Sequence, residues 1–266
     1  MENLLDNIKL FVFDVDGTLL LGPNPLPFAK EVIILLQSKN IDFLIISNNS
    51  SYSADENKKR LENILDVNLE NSNIYTSIQA TIDYLLKSNI VNCYLIGTPS
   101  MVTEFEQSGI FNTETNPQAI VLGFDKTLNY EKIKTTSLLL QKKEKIPFFA
   151  THPDDTCPVD EGRIPDVGSF LKLFENATGR TADLILGKPS KLILELVLTK
   201  RNIDVSEVLV IGDRIETDIR MASESNVNSA LVLTGEFSED KKNTTQFTPT
   251  FIWKNLEQLF EYLKVK

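Results

Sequence analysis

The chain has 266 residues, 42% hydrophobic and 24% charged, which is ordinary for a soluble globular protein and long enough for one large domain or two modest ones. Asp and Glu number 37 against 27 Lys and Arg, a net charge of −10, which argues against nucleic acid and anionic membrane as partners. One histidine and two cysteines exclude a His-x-x-x-His zinc site and a disulfide framework, and leave acid–base chemistry to carboxylates.

Met1 to Leu10 carries acids and lacks the basic start of a signal peptide. No apolar run approaches the ~20 residues that span a bilayer, so a reduced, cytoplasmic protein is expected. Leu10–Phe13 reads as a buried strand and Phe43–Ile46 as another. Between them Phe28, Val32, Leu35 and Leu36 form the core face of a helix, with Pro27 near its first turn. Ser53-Ala-Asp-Glu56 is a capping box opening the next helix. Further strands are expected near Cys93–Ile96, Ala119–Gly123, Phe148–Ala150, Leu184–Leu186, Val208–Ile211, Ala230–Leu233 and Thr250–Trp253. Helices are expected near Ser77–Lys87, Met101–Gln107, Tyr130–Lys142, Val167–Thr178, Ser190–Lys200, Thr217–Ser225 and Asn255–Leu263, with Gly179 closing one of them. Only Ser238 to Gln246 reads as a short polar stretch. Uninterrupted apolar strands alternating with helices imply an α/β doubly wound parallel sheet.

Such sheets bind ligands beyond the carboxyl ends of their strands. There the chain reads Asp14-Val-Asp16-Gly-Thr18, Ser47-Asn48-Asn49-Ser50, Gly187-Lys188-Pro189 and Gly212-Asp213 through Asp218. Aspartates, hydroxyls and one lysine are therefore expected on one edge of one sheet. A calcium-loop reading of Asp14-x-Asp16-Gly fails, because the required Gly and Glu positions hold Leu19 and Pro25. A phosphate-loop reading of Gly187-Lys188 fails at Pro189 and Ala182. A lone strand-end aspartate is often only a helix cap, but four such segments of these residue types point to phosphoryl transfer. That chemistry uses a carboxylate nucleophile, hard oxygen ligands for magnesium, a cation with hydroxyl or main-chain donors, and a second carboxyl as acid and base.

In order and residue type, the four segments resemble the signature motifs of the haloacid dehalogenase (HAD) superfamily, and the Asp14-x-Asp16 form resembles its phosphatases. The resemblance implies Asp14 as nucleophile and Asp16 as general acid/base. It implies a Mg2+ cofactor held by Asp14, the main-chain carbonyl of Asp16, and Asp213. Ser47, the main chain around Asn48, and Lys188 are expected to bind the phosphoryl group, with Asp218, Thr18 and Asn49 in support. The expected reaction is hydrolysis of small phosphomonoesters, 4-nitrophenyl phosphate among them, through an aspartyl-phosphate. A phosphomutase or a phospho-accepting signalling protein are the alternatives on the same core.

Between Ser47 and Lys188 the chain runs far longer than a crossover needs. By the resemblance, residues 1–77 and 181–266 form the core and 78–180 an inserted α/β cap domain. Ser47-Asn-Asn-Ser50, Val121 through Asp125-Lys-Thr-Leu128, and Ala150-Thr-His152-Pro-Asp154 with Gly162 and Ile164 through Gly168 are similar to the NagD-type and 4-nitrophenylphosphatase-like enzymes. His152 and Asp166 depart from that pattern, where many relatives carry Asn and a smaller residue. His152 is either a cap contact to substrate or a hydrogen-bonded loop histidine. Asp125 is either a substrate contact or a helix cap, and Asp154 belongs to the same cap group. The expected partner is a small phosphorylated metabolite, with a homodimer through the cap implied by resemblance alone.

Overall fold

The computed structural model describes residues 2–159, 161–235 and 246–266, so most of the polar stretch Ser238–Gln246 lies outside the described residues. In chain order the first elements are α1 (Glu2–Leu5), β1 (Leu10–Phe13), a short hairpin of β2 (Leu20–Leu21) and β3 (Asn24–Pro25), α2 (Ala29–Ser38), β4 (Asp42–Ser47) and α3 (Ala54–Leu65). Next come β5 (Ile74–Thr76), α4 (Ser77–Lys87), β6 (Asn92–Ile96), α5 (Pro99–Gln107), β7 (Phe111–Asn112), β8 (Ala119–Leu122), α6 (Tyr130–Leu140) and β9 (Phe148–Ala150). A second hairpin, β10 (Thr156–Val159) with β11 (Gly162–Pro165), precedes α7 (Val167–Thr178), β12 (Leu184–Ile185) and α8 (Leu192–Arg201). The chain finishes with β13 (Val208–Gly212), α9 (Arg220–Glu224), β14 (Asn228–Val232), β15 (Phe251–Trp253) and α10 (Glu257–Val265).

Two compact units result: residues 1–47, 56–75 and 194–266, and residues 48–55 with 76–193. The first holds a six-stranded sheet in the order β15-β14-β13-β1-β4-β5. From β1 the order runs outward to β4 and β5 on one side and to β13, β14 and β15 on the other, so the winding reverses between β1 and β13. That reversal opens a crevice at the carboxyl ends of the two strands. Parallel register pairs Phe13 with both Ile211 and Ile45, so β1, β4 and β13 end level. Leu10 to Phe13 and Val208 to Gly212 are buried throughout, as expected of strands covered on both faces.

The second unit carries a five-stranded sheet, β12-β9-β8-β6-β7, parallel at every pairing. Its core gathers Tyr94, Ile96, Ile120, Leu122, Phe148 and Phe174, among others. Phe148 and Phe174 meet edge to face with centroids 6.3 Å apart, a preferred aromatic geometry. Here the structure departs from the one-edge expectation. The strand leading to Gly187-Lys188 pairs with β9, so Lys188 follows a strand of the smaller sheet and residues 181–193 lie with the second unit. The short apolar run Leu184–Leu186 carries no mark of which sheet it joins, because pairing partners are set by tertiary structure.

Local departures have local causes. Phe28, expected on the core face of α2, precedes that helix in left-handed conformation with φ 67°, and its ring packs 5.3 Å from that of Phe260 on α10. Asn129 rather than Asp125 caps α6, accepting the Lys132 N–H at 3.0 Å. The helix expected at Thr217–Ser225 opens as a π-turn over Ile215–Ile219 before α9. The Asp218 and Ile219 N–H groups share the Arg214 carbonyl at 3.0 and 3.3 Å, which widens the turn by one residue. No described helix is long and apolar enough to cross a membrane.

Candidate active site

In the first unit, β1 delivers Asp14 and β13 delivers Asp213, while the π-turn swings Asp218 back toward them. Carboxylate oxygens of Asp14, Asp213 and Asp218 all lie within 4.8 Å of one another. Asp213 and Asp218 are buried, and Asp14 is half-buried. Asp218 Oδ2 accepts from the Arg214 N–H and the Thr217 hydroxyl, both at 3.3 Å. Three carboxylates this close repel one another unless a cation or protons intervene. A hard-oxygen set with one half-open member suits Mg2+, which keeps several waters and takes one or two protein carboxylates.

Glycines make room for this cluster. A Cβ at Gly17 or Gly235 would overlap the Asp213 carboxylate, and one at Gly212 would overlap Asp218. Gly17 also sits at φ +92°, a conformation that favours glycine. Its carbonyl accepts the Thr234 hydroxyl at 2.6 Å, and its N–H donates to the Leu20 carbonyl at 2.7 Å. The tight turn after β1 therefore carries Asp16 outward. The Asp16 side chain is 56% exposed, with Arg60 Nη2 3.8 Å from its Oδ1. Thr18 is buried and its hydroxyl has no hydrogen-bond partner among the described residues, while Ser47 is buried at the end of β4. Nothing in the sequence marks Arg60, one basic residue among several on α3.

In the second unit a second polar group forms around Asn48. Its Oδ1 accepts the Lys188 N–H at 2.8 Å, and its Nδ2 donates to the Lys188 carbonyl and to Asp154 Oδ2, each at 2.9 Å. These opposed partners fix which way the amide points. Ser77 Oγ donates to the Asn48 carbonyl at 2.8 Å. A Cβ at Gly187 would press on both the Asn48 amide and the Thr151 carbonyl, so glycine is needed beside Lys188. Asn49 Oδ1 accepts the Ser51 N–H and hydroxyl at 3.0 and 2.8 Å, closing its own loop. Lys188 is buried.

His152 is 1% exposed. Its Nδ1 lies 3.1 Å from Asp154 Oδ2 and its Nε2 3.6 Å from Asp166 Oδ1, at ion-pair distance but without hydrogen-bond alignment. Asp166 caps α7, accepting the Val167 N–H at 2.6 Å. Burial pushes its carboxyl above the ordinary carboxylate range, with His152 and the Val167 N–H pulling the other way. An N-cap aspartate before a helical run is a readable sequence signal; its pairing with His152 is not.

Asp125 has a different setting. Its side chain is fully buried, with Lys132 Nζ 2.6 Å from Oδ2, and its Oδ1 accepts the Thr127 N–H and hydroxyl at 2.8 and 2.6 Å. Both oxygens close the loop between β8 and α6. Asp125→Ala is expected to destabilise the protein by about 3 kcal/mol, because it removes the buried carboxylate that pairs with Lys132 and accepts the Thr127 N–H and hydroxyl. Urea unfolding checks this, and a loss of activity with unchanged stability would instead favour a substrate contact.

Residues 11–111 match the family model described as haloacid dehalogenase-like hydrolase, and 185–259 match one described as HAD-hydrolase-like. The crystal structure of a 4-nitrophenylphosphatase from Thermotoga maritima is 37% identical, with a TM-score of 0.91 over 97% of this chain and 98% of that one. A glycerol phosphate phosphatase from Mycobacterium tuberculosis, solved in complex with magnesium, is 25% identical with a TM-score of 0.87, over 98% of this chain and 79% of that one. A dihydroxyacetone phosphatase from Corynebacterium glutamicum is 29% identical over 94% of this chain and 90% of its own. With the motifs on which the resemblance rested lying inside the matched spans, this chain belongs to the haloacid dehalogenase-like hydrolases and is a phosphatase of that family.

Proposed function

We propose that the chain hydrolyses small phosphomonoesters, three-carbon and sugar phosphates first among them, through an aspartyl-phosphate on Asp14 with Mg2+ as cofactor. The grouping of Asp14, Asp213 and Asp218 within 4.8 Å at the winding reversal carries this reading. A carboxylate oxygen of Asp14 attacks phosphorus, and the bond from phosphorus to the ester oxygen breaks. Asp16 donates its proton to that leaving oxygen, then takes one from water as the water attacks the acyl phosphate and frees Asp14. The exposure of the Asp16 side chain leaves its carboxyl in reach of solvent. Bound Mg2+, held by Asp14, the Asp16 carbonyl and Asp213, supplies charge neutralisation on the transferring oxygens.

Ser47, the main chain at Asn48, and Lys188 bind the phosphoryl group. Asp218, held by the Arg214 N–H and the Thr217 hydroxyl, and Thr18 back the site, and Asn49 closes its own loop. The inserted segment, 78–180, selects the leaving group. The activities of the dihydroxyacetone and glycerol phosphate phosphatases support three-carbon phosphates as the first class to try.

Phosphate release is to be measured on 4-nitrophenyl phosphate, dihydroxyacetone phosphate, glycerol phosphates, hexose phosphates and nucleoside monophosphates, with magnesium and with EDTA. Release that requires magnesium and favours the three-carbon and hexose phosphates over the nucleoside monophosphates is expected. Isomerised product or a stable phosphoprotein without release would contradict hydrolysis.

A further inference from the structure

The chain's one histidine is buried between two carboxylates, and the reaction just described makes no use of it. The ring faces a carboxylate at each nitrogen, Asp154 Oδ2 at 3.1 Å from Nδ1 and Asp166 Oδ1 at 3.6 Å from Nε2. Lys126 acts on Asp166 from the loop after β8, and Asp155 is occupied by Lys172 at 2.8 Å.

The trio is also braced. Gly168 N–H donates to the Asp154 carbonyl at 2.8 Å and Asp166 N–H to the Asp155 carbonyl at 3.0 Å, which pins the loop after β9 to the first turn of α7. A Cβ at Gly168 would overlap the Pro153 carbonyl. What the trio holds in place is one oxygen, Asp154 Oδ2, which faces His152 on one side and accepts Asn48 Nδ2 on the other.

We propose that His152 is a positioning residue for phosphate binding: it holds Asp154 against Asn48, whose amide clamps the Lys188 peptide from both its N–H and its carbonyl. His152 touches neither substrate nor metal in this scheme and acts only through that relay. The proposal rests on the phosphatase reading and on Lys188 as a phosphoryl ligand.

The test compares the wild-type protein with His152→Leu, Asn48→Ala and the double variant, reading KM, kcat and inhibition by inorganic phosphate. His152→Leu is expected to raise KM and the phosphate inhibition constant roughly 10-fold while kcat changes little, as loss of an outer partner of a ligand does. In the Asn48→Ala background the same substitution is expected to add almost nothing. Multiplying effects, or an unchanged KM in His152→Leu, would overturn the proposal, since independent sites add. If His152→Leu fails to fold, the wild-type imidazole gives a single resonance needing no assignment. That resonance is expected to move when inorganic phosphate and magnesium are added, and a stationary signal at inhibitory phosphate would overturn the relay. Wild-type protein that releases no phosphate from any ester would instead defeat the phosphatase reading itself.

Discussion

Asp14→Asn is expected to lower turnover by roughly four orders of magnitude or more while leaving the melting temperature within a few degrees of wild type. The amide has nearly the shape of the carboxylate but is a very poor nucleophile, so no acyl phosphate forms. The fold does not depend on the charge. Asp14 follows β1, whose register is set by Leu10 to Phe13 against β13 and β4, and its N–H donates to the Ile211 carbonyl at 2.9 Å, a bond that asparagine keeps. Removing one of three mutually close carboxylates relieves repulsion, so any shift in stability without metal is upward. Steady-state release with a sensitive phosphate assay, beside a thermal melt, decides the matter. Retained activity would remove Asp14 from the chemistry.

Asp213→Asn is expected to act in opposite directions on two observables. Without metal it stabilises the protein by about 1–3 kcal/mol, the scale of a repulsion between charges at this spacing in a partly polar site. With magnesium it loses the stabilisation that a bound ion confers on the native state, and the magnesium concentration giving half-maximal activity rises about 100-fold or more. Melting temperatures with EDTA and over a magnesium series test both signs without using activity. A substitution that merely damaged folding would lower both. The tight fit of Asp213 against Gly17 and Gly235 makes asparagine, the closest match in shape, the informative replacement.

The core site was legible because its signals are local. Each of Asp14, Ser47 and Asp213 terminates or directly follows an apolar run, and parallel strands with level ends must bring such residues together. Asp218 was legible in type but not in setting, because a π-turn inserts a residue that a 3.6-residue period cannot reveal. The partition of the motifs was not legible. Lys188 follows a two-residue strand whose neighbour, β9, is chosen by long-range packing, and Asn48 is tied to Lys188 by two hydrogen bonds and to Asp154 by a third, all spanning more than a hundred residues. The two hairpins, β2 with β3 and β10 with β11, escaped a search for long apolar runs because their strands are short and largely exposed. Asp125 reads from the sequence as either a substrate contact or a helix cap; Thr127 engages its Oδ1 and Lys132, seven residues on, its Oδ2, a pairing that local sequence does not mark.

The central claim is that phosphate leaves its substrate by passing through Asp14. The most direct measurement is a single turnover with excess enzyme and magnesium, quenched in acid within milliseconds, followed by mass spectrometry of the peptides. The account predicts a transient phosphoryl group on the peptide spanning Leu10 to Thr18, localised to Asp14 and gone at long times as inorganic phosphate appears. Release of phosphate with no such adduct at any time, or an adduct that forms equally well in Asp14→Asn, would contradict it.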